Sequence, residues 1–152
     1  MIAVDTSVWI AALRQPGSEE AGVLGGLLDA ELVALPVPVR TELLIGTGGR
    51  TRDRLARTLL AVPLIYPTDD TWHTIDAWTK RAGEAGERFS LGDLLIGVLA
   101  EGEQALVWSL DDEFRRDDVT FIGVPLADMC VRTFDGSRTR ILMKNIAYCG
   151  AL

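Results

Sequence analysis

The chain has 152 residues, 48% of them hydrophobic and 24% charged, which suits one globular domain with its own core and no need of staples. The formal net charge is −7, unlike proteins that hold nucleic acid through an overall basic surface. Two cysteines, Cys130 and Cys149, and one histidine, His73, exclude a disulfide framework, a zinc site and any chemistry built on paired imidazoles. No apolar run reaches the roughly 18 residues of a membrane span. The opening MIAVDTSVWIAAL carries no basic leader and is interrupted by Asp5, so no signal peptide is read and a cytoplasmic location is the expectation.

In chain order, Ile2-Ala3-Val4 reads as a short buried strand ending at Asp5. Thr6 or Ser7 can cap a helix running to about Leu13, stopped by Gln15-Pro16-Gly17. Ser18 caps a second helix, with Glu19 and Glu20 in its favourable first turn and Leu24, Leu27 and Leu28 toward the core. Residues 31–35 suit a strand. Pro36 and Pro38 precede a helix holding Arg40 to Ile45, ended by Gly46-Thr47-Gly48-Gly49, and another helix covers roughly 51–61. Leu64-Ile65-Tyr66 reads as a strand. Thr68 caps a long helix from Asp69 to about Gly86, and Ser90 caps one from Leu91 to about Glu101. Residues 105–109 form a buried strand, Asp111 to Arg116 a short helix and Thr120-Phe121-Ile122 a last strand. The stretch after about 128 has no clear period and is read as an extension, 129–152, of no assigned role.

Short apolar strands alternating with longer helices point to an α/β domain with a mostly parallel sheet covered on both sides. Ligands of such sheets gather outside the carboxyl ends of the strands. Asp5 and Asp111 fall just past two expected strands, and Asp93 lies in the first turn of a helix entering that region. Each acid has an ordinary explanation by itself. Asp5 and Asp93 suit helix caps, Glu42 a solvated helix face, and Asp111-Asp112-Glu113 an acidic first turn. Together they suggest more, because carboxylates converging on one cleft repel one another unless a cation sits among them. Hard divalent ions take oxygen ligands, and one or two of them can activate water and stabilise a phosphodiester's leaving oxygen without a His or Cys nucleophile.

The run IAVDTSVWIAAL closely resembles the first motif of PIN-domain nucleases, especially VapC-type toxins of bacterial toxin–antitoxin pairs. VRTELLIG resembles the second motif with Glu42, SLGDLLIGVLA the third with Asp93, and LVWSLDDEF the fourth. In that fourth motif the family's Thr-x-Asp-x-Asp/His-Phe pattern corresponds to Ser109, Asp111, Glu113 and Phe114. Ser109 stands for the usual Thr and Glu113 for the usual Asp or His, and Asp112 beside Asp111 leaves two choices for the fourth acid. The resemblance spans residues 1–127, with a nuclease domain expected over 1–128. It implies a three-layer sandwich and Mg²⁺- or Mn²⁺-dependent cleavage of RNA, giving a 5′-phosphate and a 3′-hydroxyl. Asp5, Glu42, Asp93 and Asp111 would hold metal and serve catalysis, supported by Thr6, Ser7, Ser109, Asp112 and Glu113. It further implies a small antitoxin partner and a homodimer.

The basic residues are unevenly placed: Arg50, Arg52, Arg54 and Arg57 share one short segment. Arg50, Arg54 and Arg57 would lie on one helical face, as a plain solvated surface or as a contact for RNA phosphates or an acidic partner. Trp9 and Trp108 are expected in the core, whereas Trp72 and Trp78 are left open between core and base stacking. Two alternatives stand beside the nuclease. A phosphatase with an Asp nucleophile after strand one would show Asp-x-Asp, but Ser7 holds the second position and the only lysines are Lys80 and Lys144. A catalytically inactive PIN-like scaffold would have lost an acid, and all four are present.

Overall fold

The computed structural model of the chain describes residues 1–110. The expected helix at 111–116, the strand at 120–122 and the extension 129–152 lie outside the described residues. Among the described residues four strands, β1 (Ile2–Val4), β2 (Val33–Pro36), β3 (Leu64–Ile65) and β4 (Leu106–Trp108), form a sheet in the order β3-β2-β1-β4. Every pairing is parallel, with Ile2 opposite Val33 and Leu106, Val4 opposite Trp108, and Leu35 opposite Leu64. Among the described residues six helices connect and cover the strands: α1 (Thr6–Arg14), α2 (Glu19–Asp29), α3 (Val37–Ile45), α4 (Gly49–Leu59), α5 (Asp69–Ala85) and α6 (Leu91–Gly102). No helix among the described residues is long and apolar enough to cross a membrane.

Both faces of the sheet are buried, which is why its strands read as unbroken apolar runs. Along β2, Val33 and Leu35 enter the main core with Val8 and Trp9 of α1 and Leu24 and Leu27 of α2. Ala34 points the opposite way, onto Ile65 and Leu99 of α6, as the period of two requires. Outside α6 lies α5, whose Ile75 and Trp78 pack with Leu94 and Val98. Gly97 makes that contact possible: a Cβ there would stand 2.8 Å from Cζ3 of Trp78. Trp78 therefore belongs to the core, with Trp9 and Trp108, while Trp72 is 47% exposed.

Several boundaries move from the sequence expectation, each for a local reason. The first helix is capped by Asp5, whose carboxylate accepts from the amides of Thr6 and Ser7, so Thr6 and Ser7 are helical residues and not caps. β2 begins at Val33 because Glu31 adopts a left-handed φ of +57° in the preceding turn. The helix expected after Pro38 includes it, since α3 starts at Val37; a proline in the first turn lacks only an N–H that would have no helical partner anyway. Tyr66 is 62% exposed and lies beyond β3. The long helix ends as expected, with Gly86 in the left-handed conformation at φ +76°.

Candidate active site

The parallel register of β1 and β4 sets two residues side by side at the carboxyl edge of the sheet. Val4 pairs with Trp108, the Asp5 amide donates to the Trp108 carbonyl at 2.8 Å, and the residues that follow, Asp5 and Ser109, meet there. Asp5 is only 5% exposed and Ser109 7%. The Asp5 carboxylate is held from several directions. Its Oδ1 accepts from the Thr6 amide at 2.6 Å. Its Oδ2 accepts from the hydroxyls of Ser7 at 2.7 Å and Ser109 at 2.8 Å, and more distantly from the Ser7 amide at 3.4 Å. Ser7 Oγ in turn accepts from the Leu110 amide at 3.0 Å, which ties the chain leaving β4 to the start of α1.

Thr6 carries the arrangement to a second acid. Its hydroxyl donates to Oε2 of Glu42, an exposed residue on α3. The other oxygen, Oε1, faces the first turn of α6, where a Cβ on Gly92 would lie 3.6 Å from it and 3.5 Å from Ser90 Oγ. Glu42 thus lies against Gly92, the residue that precedes Asp93. This approach was not read from the sequence, although a glycine directly before the acid of an otherwise apolar helix start was visible.

Asp93 closes a capping box at the start of α6. Ser90 Oγ accepts from the Asp93 amide at 3.2 Å, while Asp93 Oδ2 accepts from the Ser90 amide at 3.0 Å and the Ser90 hydroxyl at 2.6 Å. The capping explanation for Asp5 and Asp93 is therefore realised in the structure. It does not account for the Ser109 hydroxyl on Asp5 or for Glu42 between Thr6 and Gly92. Asp111, Asp112 and Glu113 lie outside the described residues.

Among the described residues, no group of three Asp, Glu, His or Cys side chains stands close enough to hold a metal ion. The donor chemistry nonetheless suits a hard divalent cation. Asp5, Glu42 and Asp93 and the hydroxyls around them offer only oxygen. Among the described residues Glu42 Oε1 and Asp93 Oδ1 accept no hydrogen bond, and Asp5 Oδ1 accepts one. Arg50, Arg54 and Arg57 are all exposed on α4, the helix that packs beside α3.

Helices on both faces of a parallel sheet, with acids of three separate segments brought to its carboxyl edge, define an α/β domain of the kind that binds ligands at that edge. The family's sequence profile, described as PIN domain, matches residues 2–119. The chain belongs to the PIN domain family.

Solved structures with the same fold include VapBC2 from Rickettsia felis bound to a DNA fragment from its promoter. It is similar at a TM-score of 0.63 and 20% identity, covering 76% of this chain and 92% of that one. VapBC-1 from nontypeable Haemophilus influenzae is similar at a TM-score of 0.62 and 17% identity, covering 76% and 91%. The sarcin-ricin loop cleaving toxin VapC20 of Mycobacterium tuberculosis gives 0.59 and 22%, covering 79% and 97%. No curated protein sequence matches the chain.

Proposed function

We propose that the protein is a metal-dependent endoribonuclease acting as the toxin of a toxin–antitoxin pair, working in the cytoplasm as a homodimer and held inactive by a small antitoxin. The observation that carries this reading is the continuous path from Ser109 through Asp5 and Thr6 to Glu42 and Gly92. It draws four distant segments, with Asp93 one residue beyond Gly92, to a single edge. Membership of the PIN domain family supports it, as do fold neighbours that are VapBC complexes and a loop-cleaving toxin.

In this reading Asp5, Glu42 and Asp93 would hold Mg²⁺ or Mn²⁺ together with Asp111 or Asp112. A bound ion would supply activation of water and stabilisation of charge on the phosphodiester. The protein's own part is positioning. Ser7 and Ser109 fix the rotation of the Asp5 carboxyl, leaving Oδ1 the less committed oxygen. Thr6 holds Glu42 by one oxygen and leaves the other toward α6. The capping box orients Asp93 in the same manner, through Oδ2 alone. Glu42 and Asp93 are thus restrained through one oxygen and Asp5 through both, which removes conformational freedom that ligand binding would otherwise have to restrict.

The test is cleavage of total cellular RNA by antitoxin-free protein with Mg²⁺ or Mn²⁺, with chelator, and by the Asp5→Asn variant. Discrete fragments bearing 5′-phosphates that vanish with chelator and with the variant are expected. Folded protein that cuts no RNA with either ion would sink the enzyme and favour a binding scaffold.

A further inference from the structure

Helix α4, GRTRDRLARTL, breaks the rules for a stable helix start. Its N-cap, Gly48, provides no side-chain acceptor, its first turn holds no acid, and Gly49 sits at a left-handed φ of +54°. Arg50 and Arg52 occupy the first turn, where the helix dipole disfavours cations, and Arg54 follows one turn on. Nothing in the packing of α4 requires this. Leu59 is buried and Leu55 packs against the main core. Arg50, Arg54 and Arg57, spaced at i, i+4 and i+7, occupy the face turned away from those leucines. All three are exposed, and among the described residues none forms an ion pair. Four of the chain's 15 basic residues fall in this segment of a protein with net charge −7. Cations gathered without an ion pair among the described residues, against the local dipole, mark a place where local stability is given up for function.

The position of the face indicates what it meets. α4 packs beside α3, and only Leu43, Leu44 and Ile45 separate Glu42 from the end of α3, about 5 Å at 1.5 Å per residue. Gly46-Thr47-Gly48 then turns the chain into Arg50. We infer that Arg50, Arg54 and Arg57 form a track for the phosphates of single-stranded RNA, leading the strand to the acidic edge that holds Asp5 and Glu42. This rests on the endoribonuclease reading for its substrate. Three guanidiniums without an ion pair among the described residues complement a polyanion, and they offset the repulsion that the acids themselves exert on phosphate.

The test measures binding, not cleavage. Fluorescence anisotropy of a labelled single-stranded RNA 20-mer is followed in chelator across a salt series, with wild-type protein and three variants. The variants are Arg50→Gln/Arg54→Gln/Arg57→Gln, the same positions changed to Lys, and Arg14→Gln/Lys80→Gln/Arg88→Gln as a charge-matched control. The expected result is a salt slope flatter by about 2 in the first variant, since each phosphate contact of a single strand contributes about 0.7. The Lys variant and the control keep the wild-type slope. An unchanged slope in the first variant, an equal loss in the control, or wild-type protein that does not bind RNA would each overturn the inference. The first two leave the nuclease reading standing if wild-type protein still cuts RNA with metal. Loss of cleavage by wild-type protein that still binds through α4 would sink that reading alone.

Discussion

The Ser109 hydroxyl donates to Oδ2 of Asp5 at 2.8 Å, joining residues 104 positions apart. The bond follows from pairing Val4 with Trp108 in parallel register, so the carboxyl edge of the sheet is itself the device that positions the buried acid. Ser109→Ala should lower cleavage about 10-fold, the usual cost of losing a group that orients a metal ligand, and stability by about 1 kcal/mol. Ser109→Thr, which keeps the hydroxyl, should restore most of both. Initial rates and thermal melts of the two variants check this, and equal rates for Ala and wild type would remove Ser109 from the mechanism.

Asp5→Asn and Asp93→Asn should each eliminate measurable cleavage while the fold persists. Asparagine caps a helix about as well as aspartate, and the hydroxyls of Ser7 and Ser109 can turn to accept from its amide, so a loss of about 1 kcal/mol is expected for Asp5→Asn. Circular dichroism melts beside the RNA assay separate the two effects. Retained activity in both variants would displace the site.

Binding of Mg²⁺ should stabilise the folded protein in the absence of RNA. At 100 times its dissociation constant the ion contributes about 2.7 kcal/mol, a rise in Tm on the order of 5–10 °C for a domain of this size. The rise should be lost in Glu42→Gln as well as in Asp5→Asn. Scanning calorimetry with and without Mg²⁺ would show it, and a Tm indifferent to both Mg²⁺ and Mn²⁺ would count against a resident metal.

Gly97→Ala should destabilise the protein although alanine is the better helix former. The new Cβ would meet the Trp78 ring at 2.8 Å, and overpacking of this sort costs about 1–3 kcal/mol, which exceeds the roughly 1 kcal/mol gained in propensity. A variant at least as stable as wild type in urea melts would show that α5 shifts freely on α6.

The alternation of strands and helices was legible because each strand is an apolar run between turn signals, and Asp5, Glu42 and Asp93 were legible through their motifs. The order β3-β2-β1-β4 was not, because which strand adds to which edge depends on contacts between distant segments. For the same reason Trp78 could not be told from Trp72. Its burial requires the slot that Gly97 opens on another helix, whereas Trp72 lies six residues earlier on α5, about 1.7 turns away, and is exposed. The role of Asp5 as a cap was visible as one of two explanations, and the structure shows it caps α1 and also takes the Ser109 hydroxyl. Glu42 looked like a surface residue by itself and is exposed. What sets it apart is Thr6, 36 residues earlier, a pairing that helical periodicity cannot show.

The tie between Asp5 and β4 also has a consequence in time. Asp5 leaves the ribosome before the hydroxyl that fixes it, which lies 104 positions later in the chain. Parallel pairing over that separation is slow to form, and translation elongates at about 5–20 residues per second. A nascent chain therefore carries its acids for seconds without the edge that aligns them. The fold itself thus delays alignment of that edge until β4 has been made.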